Sequence, residues 1–148
     1  MKWILGVLVI GGIGAFLVVR HLRGRFVVVT VEGASMSPTL TPGDQVVVER
    51  RKITAVRSGD VIVLRPPKKS ERYDPVDAEA WNIKRAAALP GDPVPEGIPG
   101  GEGLAQVPQK SLVVFGDNPD SIDSRHRGFF PADQILGVAI RVLGGRAL

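Results

Sequence analysis

The chain has 148 residues and a mass of 15.8 kDa, enough for one hydrophobic core with an appendage and too little for a multidomain machine. Its 44% hydrophobic and 23% charged residues exclude both a disordered tail and a polytopic membrane protein. The net charge of +4 comes wholly from Lys2, Arg20, Arg23 and Arg25, because from Phe26 onward 15 basic residues face 15 acidic ones, and a balanced domain argues against nucleic acid as a partner.

Residues 3–19 (WILGVLVIGGIGAFLVV) form an uncharged, apolar or glycine run between Lys2 and Arg20. As a helix the run spans roughly 25 Å at about 1.5 Å per residue, short for a ~30 Å hydrocarbon core and helped by snorkelling basic flanks. A cleaved signal peptide would need a small-x-small site after the run, but the chain passes straight into Arg20, His21, Leu22 and Arg23. The expected organisation is therefore a transmembrane anchor over residues 1–20, a basic linker over 21–25 and a folded domain over 26–148. The arginines after the helix favour a cytoplasmic domain by the positive-inside tendency.

Beyond the linker the pattern changes to short β-branched runs at 26–32, 45–49, 60–65, 82–89, 111–116 and 135–143. None carries a helical period, and turn formers stand beside the strands at 42–44, 58–60, 90–92 and 116–119, so the fold class is mostly β. Residues 66–80, charged and proline-bearing, and residues 90–103, dominated by proline and glycine, read as surface excursions without a core of their own.

The available chemistry is narrow. The chain contains no cysteine, hence no disulfide, thiol nucleophile or cysteine-based metal site. Its two histidines are His21, at the membrane boundary, and His126, between two arginines, which leaves a Ser-His-Asp triad and a histidine-built zinc site unsupported. No cofactor is implied. Serine with lysine remains, provided that burial lowers the lysine pKa from about 10.4 towards 7 or 8. In the run at 82–89, strand alternation puts Asn82, Lys84, Ala86 and Ala88 on one face, a setting either of a desolvated amine or of an edge-strand lysine facing water. Ser35, in the Gly/Pro-bearing stretch 33–40, is either a turn former or a hydroxyl projecting from a strand end.

The ordered series GASMSPTL (33–40), PGDQVVVER (42–50), SGDVIVL (58–64), IKRAAALPGD (83–92) and GDNPDSIDSR (116–125) resembles the motifs of the type I signal peptidases, membrane-bound Ser/Lys serine endopeptidases. The resemblance runs from about Val29 to Val142, with the N-terminal anchor in addition. It implies a signal-peptidase-like β fold of twisted antiparallel sheets, in a minimal member lacking the family's larger inserted domain. By position, Ser35 matches the nucleophile and Lys84, before Arg85, the general base. Ser121 matches the serine that orients the amine, Asp123 and Arg125 an ion pair holding that loop, and Asp117 and Asn118 the G-D-N turn. Gly33 stands where some members carry an oxyanion-stabilising serine, which leaves backbone donors such as the Ser35 N–H. The segment 116–125 is one residue shorter between Asn118 and Ser121 than the common pattern. Val31, Met36, Leu40 and Ile83 match the apolar lining of the substrate pockets, and each is equally readable as plain core.

The implied substrates are signal or leader peptides of exported preproteins, cut after a small-x-small motif by a single-pass plasma-membrane protein whose domain faces outward. The basic flank suits an inward-facing maturation protease for one precursor instead. A self-cleaving repressor shares the dyad and a related β-fold, but that class lacks a membrane anchor and usually carries a DNA-binding module, for which the apolar N-terminus leaves no room. A membrane-tethered domain that binds peptides without cutting them is the non-enzymatic reading.

Overall fold

The structure, a computed structural model, describes residues 20, 24–67, 81–145 and 147–148. The expected anchor at 3–19, most of the linker and most of the charged excursion at 66–80 lie outside these residues. No helix among the described residues is long and apolar enough to cross a membrane.

Seven strands form one antiparallel sheet: β1 (Phe26–Thr30), β2 (Gln45–Glu49), β3 (Val61–Leu64), β4 (Asn82–Ala88), β5 (Ser111–Phe115), β6 (Phe130–Pro131) and β7 (Ile135–Val142), in the spatial order β1-β2-β7-β3-β4-β5-β6. Six of them coincide with the β-branched runs, trimmed by up to two residues where a run enters its turn. The seventh, β6, has only two residues and no alternation to display. A one-turn helix, α1 (Ser124–Arg127), and 3-10 turns at Ile53–Ala55 and Ala132–Gln134 were equally invisible, since so few residues carry no helical period.

Both faces of the sheet are covered. Along β3 all four residues are buried, with Val61 and Val63 joining Val31, Met36, Leu40, Val46, Val48 and Ile83 on one face. Ile62 and Leu64 join Ala86, Leu112, Val114 and Phe130 on the other. This is why the strand reads as a continuous apolar run rather than an alternating one. Register shifts between Val47 and Val48, Val63 and Leu64, and Ala86 and Ala88 add local twist. The sheet curls accordingly: β1 and β4 are separated by three strands in the order, yet Val31, just after β1, and Ile83 share one cluster.

The excursion at 90–103 differs from its expected character. Ile98, with Val107 beyond it, is buried against Ala88 and Val113, and Pro93 bridges Gln106. Isolated apolar residues among prolines and glycines show no period, but they suffice to pin a loop to a sheet.

Candidate active site

Ser35 sits on a compact turn between β1 and β2. Backbone bonds from Val31 N to Asp44 O (2.8 Å) and from Gly43 N to Val31 O (2.9 Å) close its base. Met36 and Leu40, each 1% exposed, plug it into the core, leaving Ser35 half-buried between them and solvent. The turn opens on Gly33 at φ 74°, a left-handed conformation that costs a side chain about 1–2 kcal/mol. That conformation is a local reason for glycine at the position.

Lys84 lies mid-strand in β4, opposite the fully buried Ile62, and is 4% exposed. Its Nζ donates to Ser121 Oγ at 2.8 Å. Burial pushes the amine pKa down from 10.5 to about 8; Asp123 opposes the shift, while Arg127 and Arg125 add to it. The desolvated alternative for this lysine is therefore the one realised.

Ser121 ends the turn that follows β5. Its N–H donates to Asn118 O at 3.0 Å, while Asn118 N donates to Ser35 O at 3.1 Å and Asn118 Nδ2 to Ala34 O at 3.0 Å. The turn thus touches the serine segment on one side and the lysine on the other. Asp117 receives Arg85 Nε at 2.8 Å and Arg85 Nη2 at 2.6 Å, and also accepts from Thr39 Oγ1. The Arg85 bond first, with Thr39 assisting, keeps the Asp117 carboxyl below its usual range against the opposing effect of burial.

Asp123 caps α1 and is fully buried, accepting from Arg125 Nε (2.9 Å), Arg125 Nη2 (2.6 Å) and Gly116 N (2.8 Å). Burial raises its pKa, but these donors outweigh it and the carboxyl stays ionised below its ordinary value. Ser124, also fully buried, accepts from Val114 N at 2.9 Å and fastens α1 to β5.

Gly116 explains how the pieces come so close. A Cβ there would stand 2.1 Å from Ser121 Oγ, 2.3 Å from Ser121 Cβ and 2.5 Å from Ser35 O. Only a residue without a side chain lets the Ser35 backbone and Ser121 meet across this strand end.

A cleft of about 230 Å³ opens beside Ser35, lined by Val29, Thr30, Val31, Glu32, Met36, Trp81, Asn82 and Ile83. It runs between the β1 edge and the start of β4. A larger cleft of about 400 Å³, lined by Arg50, Arg51, Lys52, Arg65 and Asp133 among others, shares Trp81 with it but includes neither Ser35 nor Lys84.

A profile of the signal peptidase family, peptidase S26, matches residues 1–97 and 94–143. The chain belongs to this family. It is 35% identical over 130 residues to a probable signal peptidase I-1 of Synechocystis sp., covering 72% of this chain and 65% of that protein. It is 30% identical over 163 residues to signal peptidase I P of Bacillus subtilis subsp. natto, with 88% of this chain and 81% of the relative covered. It is 31% identical over 143 residues to signal peptidase I of Bacillus caldolyticus, covering 72% and 73%.

Of the residues that the S26 resemblance singles out, Lys84 bonds Ser121 and through it Asn118, Arg85 bonds Asp117, and Arg125 bonds Asp123; the chain of the turn after β5 joins the three groups, and Asn118 ties them to the Ser35 carbonyl. Val31, Met36 and Ile83 line the cleft, whereas Leu40 and Gly33 do not: Leu40 is core, and Gly33 shapes the turn. Sequence reasoning passed over Thr39, Gly116 and Ser124. Each lies within a quoted motif, but its role rests on a partner distant in the chain or on a close approach that spacing does not reveal. It also missed Trp81 and Glu32, which enter the cleft only because the sheet curls.

Proposed function

We propose that this S26 peptidase is a membrane-anchored serine endopeptidase that removes signal or leader peptides from exported preproteins. Ser35 is its nucleophile and Lys84 its general base. The observation that carries this reading is the state of Lys84, an amine with 4% exposure and a pKa lowered to about 8, held by Ser121 beside the Ser35 turn. A neutral fraction of about one in ten at pH 7 follows, against roughly one in a thousand or fewer for an ordinary lysine.

In the proposed cycle the amine takes the Ser35 proton as the oxygen attacks the scissile carbonyl, and the Ser35 N–H with neighbouring backbone donors stabilises the oxyanion. The ammonium then returns the proton to the leaving amine. Water, deprotonated by the same lysine, hydrolyses the acyl-enzyme. Ser121 orients the amine, and Arg85, Asp117, Asn118, Asp123 and Arg125 hold the turn. The substrate lies extended between the β1 edge and β4, adding main-chain hydrogen bonds, with Val31, Met36 and Ile83 as the apolar lining that receives the small side chains of a small-x-small motif. Residues 1–20 form the anchor with its short flanks, 21–25 the linker and 26–148 the peptidase domain, which faces outward from the plasma membrane.

The full chain in detergent, incubated with a preprotein, tests the reading: Ser35→Ala and Lys84→Ala each abolish cleavage while retaining the wild-type circular-dichroism spectrum. Near-normal rates for Lys84→Ala sink it. The arginines at 20, 23 and 25 favour a second topology, with the domain inward and one dedicated precursor. Protease accessibility of a C-terminal reporter in spheroplasts separates the two.

A further inference from the structure

Ser35 and Lys84 come from different elements, so the distance between hydroxyl and amine depends on what ties the β1–β2 turn to β4. Most bonds of the serine turn run back into itself: Ser37 N to Ala34 O, Leu40 N to Met36 O, and Val31 N to Asp44 O. Three ties across the site go to the turn after β5. Asn118 holds the chain at Ala34 and Ser35, on the near side of the nucleophile. On the far side stands Thr39, half-buried, whose Oγ1 donates to Asp117 Oδ2. That carboxylate is locked by two Arg85 bonds, charge-assisted and therefore stiff, and Arg85 is the chain neighbour of Lys84.

We propose that Thr39 is a positioning residue for the dyad, its hydroxyl fastening the far end of the serine turn to the Asp117–Arg85 pair and so setting the reach between Ser35 and Lys84. The proposal rests on the dyad assignment given above and deepens it. Burial sets the basicity of the Lys84 amine first, with Asp123, Arg127 and Arg125 acting on it in turn. Loosening Thr39 therefore alters distance and leaves the basicity of the lysine alone.

Two experiments on the full chain test it. In preprotein cleavage, Thr39→Val and Thr39→Ala each lower kcat about tenfold, part of the roughly hundredfold that a 1 Å misplacement costs. KM stays within twofold and the acidic limb of the pH profile stays in place, while Thr39→Ser restores at least half of kcat. A kcat within twofold of wild type in a folded Thr39→Val or Thr39→Ala protein, or a Thr39→Ser variant no better than these two, overturns the proposal.

The second readout needs no substrate. Because the chain has no cysteine, Ser35→Cys introduces a single thiol whose alkylation by iodoacetamide against pH reports its pKa. A nearby Lys84 ammonium lowers it from about 8.5, and adding Thr39→Val returns it at least half a unit towards that value. An identical depressed pKa with and without Thr39→Val refutes the role of Thr39 and leaves the dyad standing. An undepressed pKa in Ser35→Cys alone refutes the dyad, and the proposal with it.

Discussion

Gly116 is the position where one methyl group tests the whole site. Its φ is not in the left-handed region, so alanine is conformationally acceptable there, and any effect must come from space. The added Cβ would meet Ser121 Oγ at 2.1 Å, Ser121 Cβ at 2.3 Å and Ser35 O at 2.5 Å, two of the three belonging to a buried side chain and the third to the Ser35 backbone. To reach ordinary contact these atoms must retreat by about 1 Å. Overpacking of this kind costs about 1–3 kcal/mol, a fall of several degrees in Tm. The larger effect is on rate, because the same retreat separates Ser121, and Lys84 with it, from the Ser35 turn. A misplacement of about 1 Å predicts a loss of about 100-fold in kcat. Cleavage of a preprotein by folded Gly116→Ala, with Tm measured in parallel, checks both numbers. Wild-type kcat in that variant would refute the claim that the site depends on Ser121 and the Ser35 turn meeting across Gly116.

Other consequences follow from the buried amine and its neighbours. Below pH 8 Lys84 is protonated, so kcat/KM should rise about tenfold between pH 7 and pH 9, a profile readable from initial rates. A depressed lysine pKa also penalises the fold: about 3 kcal/mol is lost at all pH values below 8 and recovered as pH rises from 8 towards 10.5. Lys84→Met should therefore abolish cleavage yet raise Tm at pH 7, and calorimetry at pH 7 and pH 10 should find the gain shrinking. Asp123→Asn removes the charge that holds the Lys84 pKa up, so it should move the acidic limb to lower pH while lowering Tm through the unpaired Arg125; a limb moving upward would contradict the electrostatics.

Six of seven strands were legible because each is a run of β-branched residues bounded by turn formers, and a sheet buried on both faces makes such runs continuous. β6 and α1 were not, being shorter than any period. Lys84 was ambiguous from its own segment: the strand alternation is the same for a buried and an edge lysine, and only Ile62 across the ladder and Ser121 from another loop decide its burial. The motif series located the constellation around Ser121 because the spacing within 116–125 is local. Leu40 was open between cleft lining and core, since a leucine five residues past Ser35 can face either way, and its packing with Val46 and Val48 of the next strand puts it in the core. Trp81, Glu32 and Val29 escaped notice for the opposite reason. They meet only through the curl of the sheet, which arises from register shifts that no single strand displays.

The most direct measurement is the ionisation of Lys84 in the intact protein. Isotope-labelled lysine side chains, followed by NMR across the pH range, with the Lys84 resonance assigned by its absence from Lys84→Met, yield the midpoint without reference to any substrate. A titration centred near pH 8, well below the 10.5 from which burial lowers it, is the predicted result. A Lys84 midpoint that stays near 10.5 would leave Ser35 without a base.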